Sequence, residues 1–305
     1  LYNTADAVIV GNFVGKGALA AVGTTAVVQN LLVGFFVGVA SGASVVISQY
    51  YGARQGAQVQ RAVHTAMAMA LLGGVGIMLI GLAASRWALS IMNTPADVME
   101  DAVLYLRICF LGMVPSLIYN MGTGILRAVG DSKRPLYFLI CASLTNIVLD
   151  MVLVAVLGMG VAGAALATVA SQCVAAGMTV MSLSHTTACY RFVPAYLQLD
   201  KEMVEKIVRI GLPAGLQSVM YSLSNSVVQT SINSFGTDVV AAYTAYGKID
   251  SIFWMTMNSF GLSITTFVGQ NFGAGQYDRV KKGVRQCALM AFVASAVEGR
   301  DLIQK

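Results

Sequence analysis

Charged residues are scarce in this sequence: Lys, Arg, Asp and Glu make up 11% of the 305 residues, whereas hydrophobic residues make up 57%. A soluble domain carries about a quarter charged residues. A soluble protein of this length would be unable to cover its surface with so few charges. The shortage excludes an ordinary soluble domain and indicates a chain that lies largely in lipid.

Paired cysteines are also missing. The five cysteines stand singly, with no CxxC or CxxxH spacing, so we interpret them as small apolar packing residues and predict no metal site of that kind. His64 and His185 lie near predicted helix ends without a ligand-spaced partner, and we interpret both as surface histidines. The net charge of +5 is spread between apolar blocks rather than gathered in one patch, so we predict no nucleic-acid partner.

Long apolar blocks are what the sequence does contain. Ala66–Ala84, Pro135–Leu157 and Val161–Leu183 are each about 19–23 residues long, which as helix spans a hydrocarbon core about 30 Å thick. Only helices and closed barrels satisfy their backbone groups in lipid, and the alternation of a barrel strand is absent. The blocks predict an all-α, polytopic membrane protein.

About nine transmembrane helices are predicted. Their bounds are a partial helix ending near Phe13, then Gly23–Ser48, Arg61–Ala84, Asp101–Arg127, Pro135–Leu157, Val161–Ser184, Glu205–Phe235, Val239–Gly269 and Arg279–Val297. Pro115 and Pro213 fall inside predicted helices and predict bends there. Leu1 falls inside the first helix, so we expect the natural N-terminus to be missing.

Basic residues mark one side of the membrane. They concentrate after the even-numbered helices, as with Arg54, Arg61, Arg127, Lys133 and Arg134. Loops after odd-numbered helices hold mainly Lys16 and Arg86 beside several acids. The positive-inside rule places the first set of loops in the cytoplasm. We predict a multi-pass protein of a bacterial or archaeal cytoplasmic (inner) membrane.

The sequence also repeats itself weakly. An offset of 221 residues, the difference between positions 270 and 49, aligns Gln49-Tyr-Tyr-Gly-Ala-Arg-Gln55 with Gln270-Asn-Phe-Gly-Ala-Gly-Gln276. An offset of six helices preserves orientation, so we predict two parallel six-helix repeats. Residues 1–185 would form the N-lobe, 186–204 a cytoplasmic linker, and 205–305 the start of the C-lobe. By this reasoning the second repeat would end near residue 405, so we expect about three helices to be absent.

Ionisable groups inside the membrane are costly, so they are the first candidates for function. Asp6 lies in the first predicted helix and Asp150 in the fifth. Asn146 precedes Asp150 by four residues and shares its helix face. A buried carboxylate of this kind suits reversible proton uptake, and an amide beside it also offers oxygen to a cation. The alternative is a structural polar cluster that joins helices.

Three further residues are candidates for cavity lining: Tyr119, Lys248 and Asp250. Lys248 and Asp250 are two positions apart, so they point in roughly opposite directions from one helix, and each must face a partner helix or a wet cavity. Structural pairing, or for Tyr119 a place in the core or against lipid, is the alternative. Gly34, Gly38 and Gly42 form a stripe of small residues that predicts close helix packing.

Taken in order, several motifs resemble the multidrug and toxic compound extrusion (MATE) family. They are Ala5–Gly11, Ala18–Gly23, Leu126–Asp131 with Lys133–Pro135, Asn146–Asp150, Gly158–Thr168, Gly211–Gly215 and Gly269–Gly275. The resemblance implies twelve helices in two lobes, a central cavity, and export of cationic or amphipathic molecules in exchange for protons or sodium. Such a protein would be a transporter rather than an enzyme.

The resemblance also implies a set of site residues. In the branch related to DNA-damage-inducible exporters, an N-lobe site falls on Asp6, Asn146 and Asp150, and the Thr of its sixth helix falls on Thr168. The glutamate that another branch carries on its seventh helix is absent from Leu212–Phe235. The resemblance therefore favours proton coupling, with sodium at Asp6, Asn146 and Asp150 as the other option. We expect no cofactor, organic cations as substrates, and a monomer in the bilayer.

Three alternatives stay beside this interpretation. A lipid-linked precursor flippase of a related superfamily would also be a large helical membrane protein, but with a more basic cavity. An intramembrane aspartyl protease would need Gly-x-Gly-Asp on a helix, and the nearest match, Ala128-Val-Gly-Asp131, lies in a predicted loop. The third is that the chain is a fragment that transports nothing alone, because alternating access needs both lobes.

Overall fold

The computed structural model describes residues 16–91, 94 and 99–303. Within these ranges the chain has no β-strand, which confirms the all-α fold class. The predicted first helix lies outside the described residues. The helices, in chain order, are α1 (Lys16–Gly52), α2 (Gly56–Ile91), α3 (Met99–Leu111), α4 (Met113–Ala128), α5 (Lys133–Asp150), α6 (Gly160–Ser184), α7 (Lys201–Asn233), α8 (Thr237–Gly273) and α9 (Tyr277–Ile303).

Several of these helices are long and apolar enough to cross a membrane. They are Leu31–Gly52 within α1, all of α2, α5 with its extension to Val156, and α6; α3 and α4 together form one more candidate span. Helices α7 to α9 are not among the candidates found in the described residues, and α7 is rich in Ser, Asn and Gln after Gln217. The chain is a multi-pass helical membrane protein, and the count of about nine spans stays a prediction.

The predicted fourth helix is broken into two. Helices α3 and α4 meet at Gly112 with a bend of 44°. Pro115 explains this bend, because proline has no N–H to donate and its ring collides with the carbonyl of the residue four earlier, which is Leu111. The bend predicted at Pro115 is therefore present, whereas α7 runs unbroken through Pro213.

Helix α5 has the polarity of a membrane helix that faces lipid on one side. Leu136, Ile140, Leu144 and Val148 recur at helical spacing and are exposed. Phe138, Ala142, Asn146 and Asp150 recur on the opposite side and are buried. The helix therefore presents its apolar face to the bilayer and holds Asn146 and Asp150 inside the protein.

Helix α1 packs most extensively against α7, through the predicted glycine stripe. A Cβ atom at Gly42 would lie 2.5 Å from the backbone nitrogen of Gly211, and one at Gly38 would overlap Gly215. A Cβ at Gly211 would lie 2.9 Å from the Cα of Val39. Because glycines face one another on both helices, the two backbones approach closely, as in other small-residue interfaces of membrane proteins.

Candidate functional site

Three polar residues that the sequence singled out come together between α5 and α6. Asn146 and Asp150 are completely buried, and Thr168 on α6 is nearly so. The Asn146 side-chain amide lies 3.5 Å from the Thr168 hydroxyl, to which it donates a hydrogen bond. The two elements therefore bring the carboxylate, the amide and the hydroxyl into one polar cluster inside the predicted N-lobe.

The backbone changes directly after Asp150. Residues Met151–Val156 form a π-helical segment, in which the N–H of Leu157 donates to the carbonyl of Val152 at 2.9 Å. The chain then turns through Gly158 and Gly160, whose φ angles of 63° and 59° favour glycine. Short π segments inside α-helices occur frequently at functional sites. No pattern in the sequence predicted this π-helical segment.

A cavity reaches this cluster through Thr168; we call it the N-lobe cavity. Its polar lining comes from Gln29 on α1, Ser116 on α4, and Thr168 and Gln172 on α6, and the rest is mainly apolar. The side-chain nitrogen of Gln29 is buried and has no hydrogen-bond partner among the described residues. The cavity thus combines an apolar wall with a few polar groups, which is the usual composition of a small-molecule site.

The other predicted site residues are more dispersed. Asp6 lies outside the described residues, and of Lys248 only the backbone position in α8 is described. Asp250 is half-buried and accepts a hydrogen bond of 3.3 Å from the hydroxyl of Tyr246, one turn earlier. Tyr119 is half-buried against the main hydrophobic core. Neither Asp250 nor Tyr119 lines the N-lobe cavity, and the role of all four residues in a cavity stays a prediction.

The two aligned repeat segments contact each other at the predicted cytoplasmic ends of α1 and α8. A Cβ at Gly52 would overlap the carbonyl of Gln270, and a Cβ at Gly273 would overlap the carbonyl of Gln49. We call this arrangement the glycine contact. Because residues 49 and 52 align with 270 and 273 at the offset of 221, the contact is reciprocal. A twofold axis between two parallel repeats would produce this pattern.

Two hydrogen bonds join the same end of α8 to α4. The hydroxyl of Thr266 donates to the carbonyl of Arg127 at 3.2 Å. The side-chain nitrogen of Gln270 donates to the carbonyl of Ala128 at 2.7 Å. These carbonyls lie at the C-terminus of α4, where a helix lacks N–H groups of its own to pair with its last carbonyls, so α8 caps α4.

A second cavity lies above the glycine contact, between α1, α4 and α8; we call it the inter-lobe cavity. Its polar lining consists of Ser41, Ser44, Asn120, Arg127, Thr265 and Thr266. The charge pattern grouped Arg127 with the cytoplasmic loops, and the predicted fourth helix ended at this residue. The structure places it in the last turn of α4, on the wall of this cavity.

The predicted linker is bound to α2 rather than loose. The N–H of Val193 donates to the His64 ring at 3.1 Å. Arg61 pairs with Asp200, to which it donates from Nη2 and, at 2.8 Å, from Nε. The hydrogen bond from Arg61 lowers the pKa of the Asp200 carboxyl, which also caps α7 by accepting from the N–H of Met203. His64 is 4% exposed, so its interpretation as a surface histidine is wrong. His185 is exposed, as predicted.

Comparison with known proteins gives consistent matches. The MatE family model matches residues 1–152 and 213–299. The probable multidrug resistance protein YoeA of Bacillus subtilis (strain 168) is 33% identical over 298 residues, which cover 94% of this chain and 64% of that protein. An FAD transporter of Shewanella oneidensis is 24% identical over 281 residues, which cover 88% of this chain and 61% of that protein.

One solved structure agrees closely in fold. It is described as the outward-facing conformation of a multidrug resistance MATE family transporter, and it matches with a TM-score of 0.88 and 26% identity. The match covers 96% of this chain and 65% of that one. This chain therefore spans less than two thirds of the length of the relatives that it matches.

Proposed function

Because this chain belongs to the MatE family, we propose that the full-length protein is a secondary antiporter that exports small cationic or amphipathic molecules in exchange for protons or sodium. Membership confirms the resemblance drawn from the sequence motifs. It also confirms the prediction that the chain is not an enzyme, since the family consists of transporters. The exporting protein would act as a monomer in a bacterial or archaeal cytoplasmic membrane.

The observation that carries the coupling proposal is the complete burial of Asp150 beside Asn146 and Thr168. Burying a charged carboxylate is expensive unless a cation neutralises it. A proton neutralises it most simply; sodium would instead use the oxygen atoms of all three side chains. We favour protons, in keeping with the acid that is absent from Leu212–Phe235.

Coupling needs a second conformation in which the cation binds with a different affinity. The described conformation is closed at the predicted cytoplasmic end by the glycine contact. In our proposal, cation binding at Asp150 favours one of the two conformations, and substrate in the neighbouring cavities favours the other. The apolar walls of the N-lobe cavity suit an amphipathic substrate.

The test uses the full-length protein in proteoliposomes and a fluorescent organic cation, under an imposed proton gradient and then an imposed sodium gradient. We expect transport with the proton gradient and its loss in Asp150→Asn, which keeps the shape and removes the titrating group. Asp278→Asn is the matched control, because Asp278 is an exposed acid at the predicted cytoplasmic start of α9. It should transport like the unmodified protein.

Each other outcome changes a specific part of the proposal. Transport driven by sodium alone would make Asn146 and Asp150 sodium ligands. Full proton-driven transport by Asp150→Asn would show that coupling does not use this site. Absence of transport under both gradients, in protein that is folded, would contradict drug export and favour the flippase alternative.

A further inference from the structure

Arg127 is a positively charged group in the wall of the inter-lobe cavity. Its Nε donates to the carbonyl of Thr123 at 3.2 Å, and its Nη2 donates to the hydroxyl of Thr123 at 3.1 Å. These two bonds hold the guanidinium against its own helix. Arginine has five N–H donors, so this anchoring leaves others for a further partner.

No carboxylate of the described residues balances this charge. None of the residues that line the inter-lobe cavity is acidic. The ion pairs of Arg61, Arg86, Arg134 and Lys206 lie elsewhere, and Arg127 has no carboxylate within 4.0 Å in the described part of the chain. Arginine stays protonated under all ordinary conditions, so the cavity has a positive wall.

Two of the neighbouring polar side chains use donors within their own helices, and two serines offer theirs to the cavity. Thr265 donates its hydroxyl proton to the carbonyl of Gly261 at 2.7 Å, and the Asn120 amide donates to the carbonyl of Ser116 at 2.8 Å. Ser41 and Ser44 are three residues apart on α1, share one helix face and contribute hydroxyl donors to the same cavity. A guanidinium with two serine hydroxyls is a donor set that suits an oxyanion.

The position of the cavity gives this donor set a role in transport. Ser44 lies one helical turn before Ser48, and a Cβ at Gly269 would collide with Ser48 in the closed end between the lobes. A molecule in the inter-lobe cavity would therefore lie directly above the closed cytoplasmic end and touch helices of both lobes. This is where a substrate would bias the opening of that end.

We propose that the inter-lobe cavity is an oxyanion site, in which Arg127 with Ser41 and Ser44 binds the carboxylate or phosphate of an amphipathic substrate. The substrates of the transporter then include organic anions or zwitterions, beside the cations that the buried acid suits. The substrate role rests on the proposed function, whereas anion binding at Arg127 is a property of the cavity itself.

Equilibrium binding without any gradient tests the site. The probes are 1-pyrenebutyrate and the uncharged 1-pyrenebutyramide, which share one apolar body, with the full-length protein in a non-ionic detergent. We expect the carboxylate to bind about tenfold to a hundredfold more tightly than the amide, as a charge-assisted hydrogen bond supplies. Arg127→Gln should abolish that preference, and Arg127→Lys should retain part of it, because lysine keeps the charge without the planar donor fork.

The matched control is Arg134→Gln. Arg134 is a half-exposed arginine at the start of α5 that pairs with Asp131, so the variant loses one positive charge away from the cavity. It should keep the full preference for the carboxylate. An equal affinity of the unmodified protein for both probes, or an unchanged preference in folded Arg127→Gln, would overturn the proposal.

Two further measurements separate the sources of the anion and the two proposals. Added phosphatidylglycerol that competes with 1-pyrenebutyrate would identify the oxyanion as a lipid headgroup, and competition by inorganic phosphate alone would identify a soluble phosphate. Transport of the organic cation with no carboxylate preference would overturn the oxyanion site and leave the transport function standing. A preference for the carboxylate without transport under either gradient would support the oxyanion site and contradict the transport function.

Discussion

The glycine contact leads to a quantitative prediction about alternating access. In Gly273→Ala the new methyl group would overlap the backbone carbonyl of Gln49. A carbonyl is part of the helix backbone and has no rotamer to escape into, so α1 and α8 must move apart. Overpacking of this kind costs about 1–3 kcal/mol. If the open conformation relieves that overlap, the ratio of open to closed protein rises about 5- to 150-fold.

Cysteine labelling from the cytoplasmic side measures this ratio. The full-length protein, with its natural cysteines replaced, carries Ser44→Cys in the inter-lobe cavity, behind the closed end. A membrane-impermeant maleimide is applied to inverted membrane vesicles. Because the reagent reaches residue 44 only when the cytoplasmic end opens, the labelling rate follows the open fraction. We expect the rate to rise by the same 5- to 150-fold in Gly273→Ala.

Gly261→Ala is the matched control on the same helix. A Cβ at Gly261 would meet nothing within 4 Å, so the substitution adds the same methyl group and the same helix propensity without a collision. Its labelling rate should equal that of the parent. Gly52→Ala should act like Gly273→Ala, and the double variant should fall short of the sum, because either substitution already separates the helices. Equal rates for Gly273→Ala and Gly261→Ala would refute the reasoning.

Two more predictions concern the linker. His64→Ala leaves the part-buried N–H of Val193 without its partner, at a cost of up to about 1–3 kcal/mol, so trypsin should cleave the linker at Arg191 faster. His185→Ala, at an exposed site, should be cleaved at the same rate as the parent. Asp200→Ala removes both the helix cap and the pair with Arg61, so it should lower the melting temperature. Because the pKa of Asp200 is lowered in the folded protein, its stabilisation is present in full above the ordinary Asp pKa of about 3.9 and is lost as the pH falls through the lower folded value. A melting-temperature difference from the parent that stays constant down to that acid range would contradict this assignment.

Local patterns predicted the helices well because each pattern has a direct physical cause. The predicted Val161–Ser184 and the observed Gly160–Ser184 differ by one residue, since the length of apolar sequence sets the span. The predicted Arg61–Ala84 is shorter than the observed Gly56–Ile91. That prediction began the helix at Arg61 because a charge is costly in lipid. A helix extends past the bilayer wherever its backbone groups stay paired, and a charged residue in that extension costs little free energy.

The polar cluster was predictable for a similar reason. Asn146 and Asp150 are four residues apart, so any helix places them on one face, and their cost in lipid requires that face to be buried. The contact of Asn146 with Thr168 depends on which helix packs against α5, and Thr168 was a candidate only through the family resemblance. The π segment after Asp150 depends on packing over several turns and has no simple residue pattern.

Arg127 shows where local inference stops. Counting charges grouped it with the cytoplasmic loops, whereas the structure places it in the last turn of α4, on the wall of a cavity; its side of the membrane stays a prediction. Its direction is set by how α4 rotates after the 44° bend. The cavity that it faces is completed by Thr265 and Thr266 of α8, roughly 140 residues away along the chain, through packing between the lobes. A residue pattern within one helix contains neither the rotation of α4 nor the packing of α8 against it. The charge on which our oxyanion proposal depends therefore becomes visible only when α4 and α8 are placed together, and this is why the sequence motifs implied cationic substrates and gave no hint of an anion site.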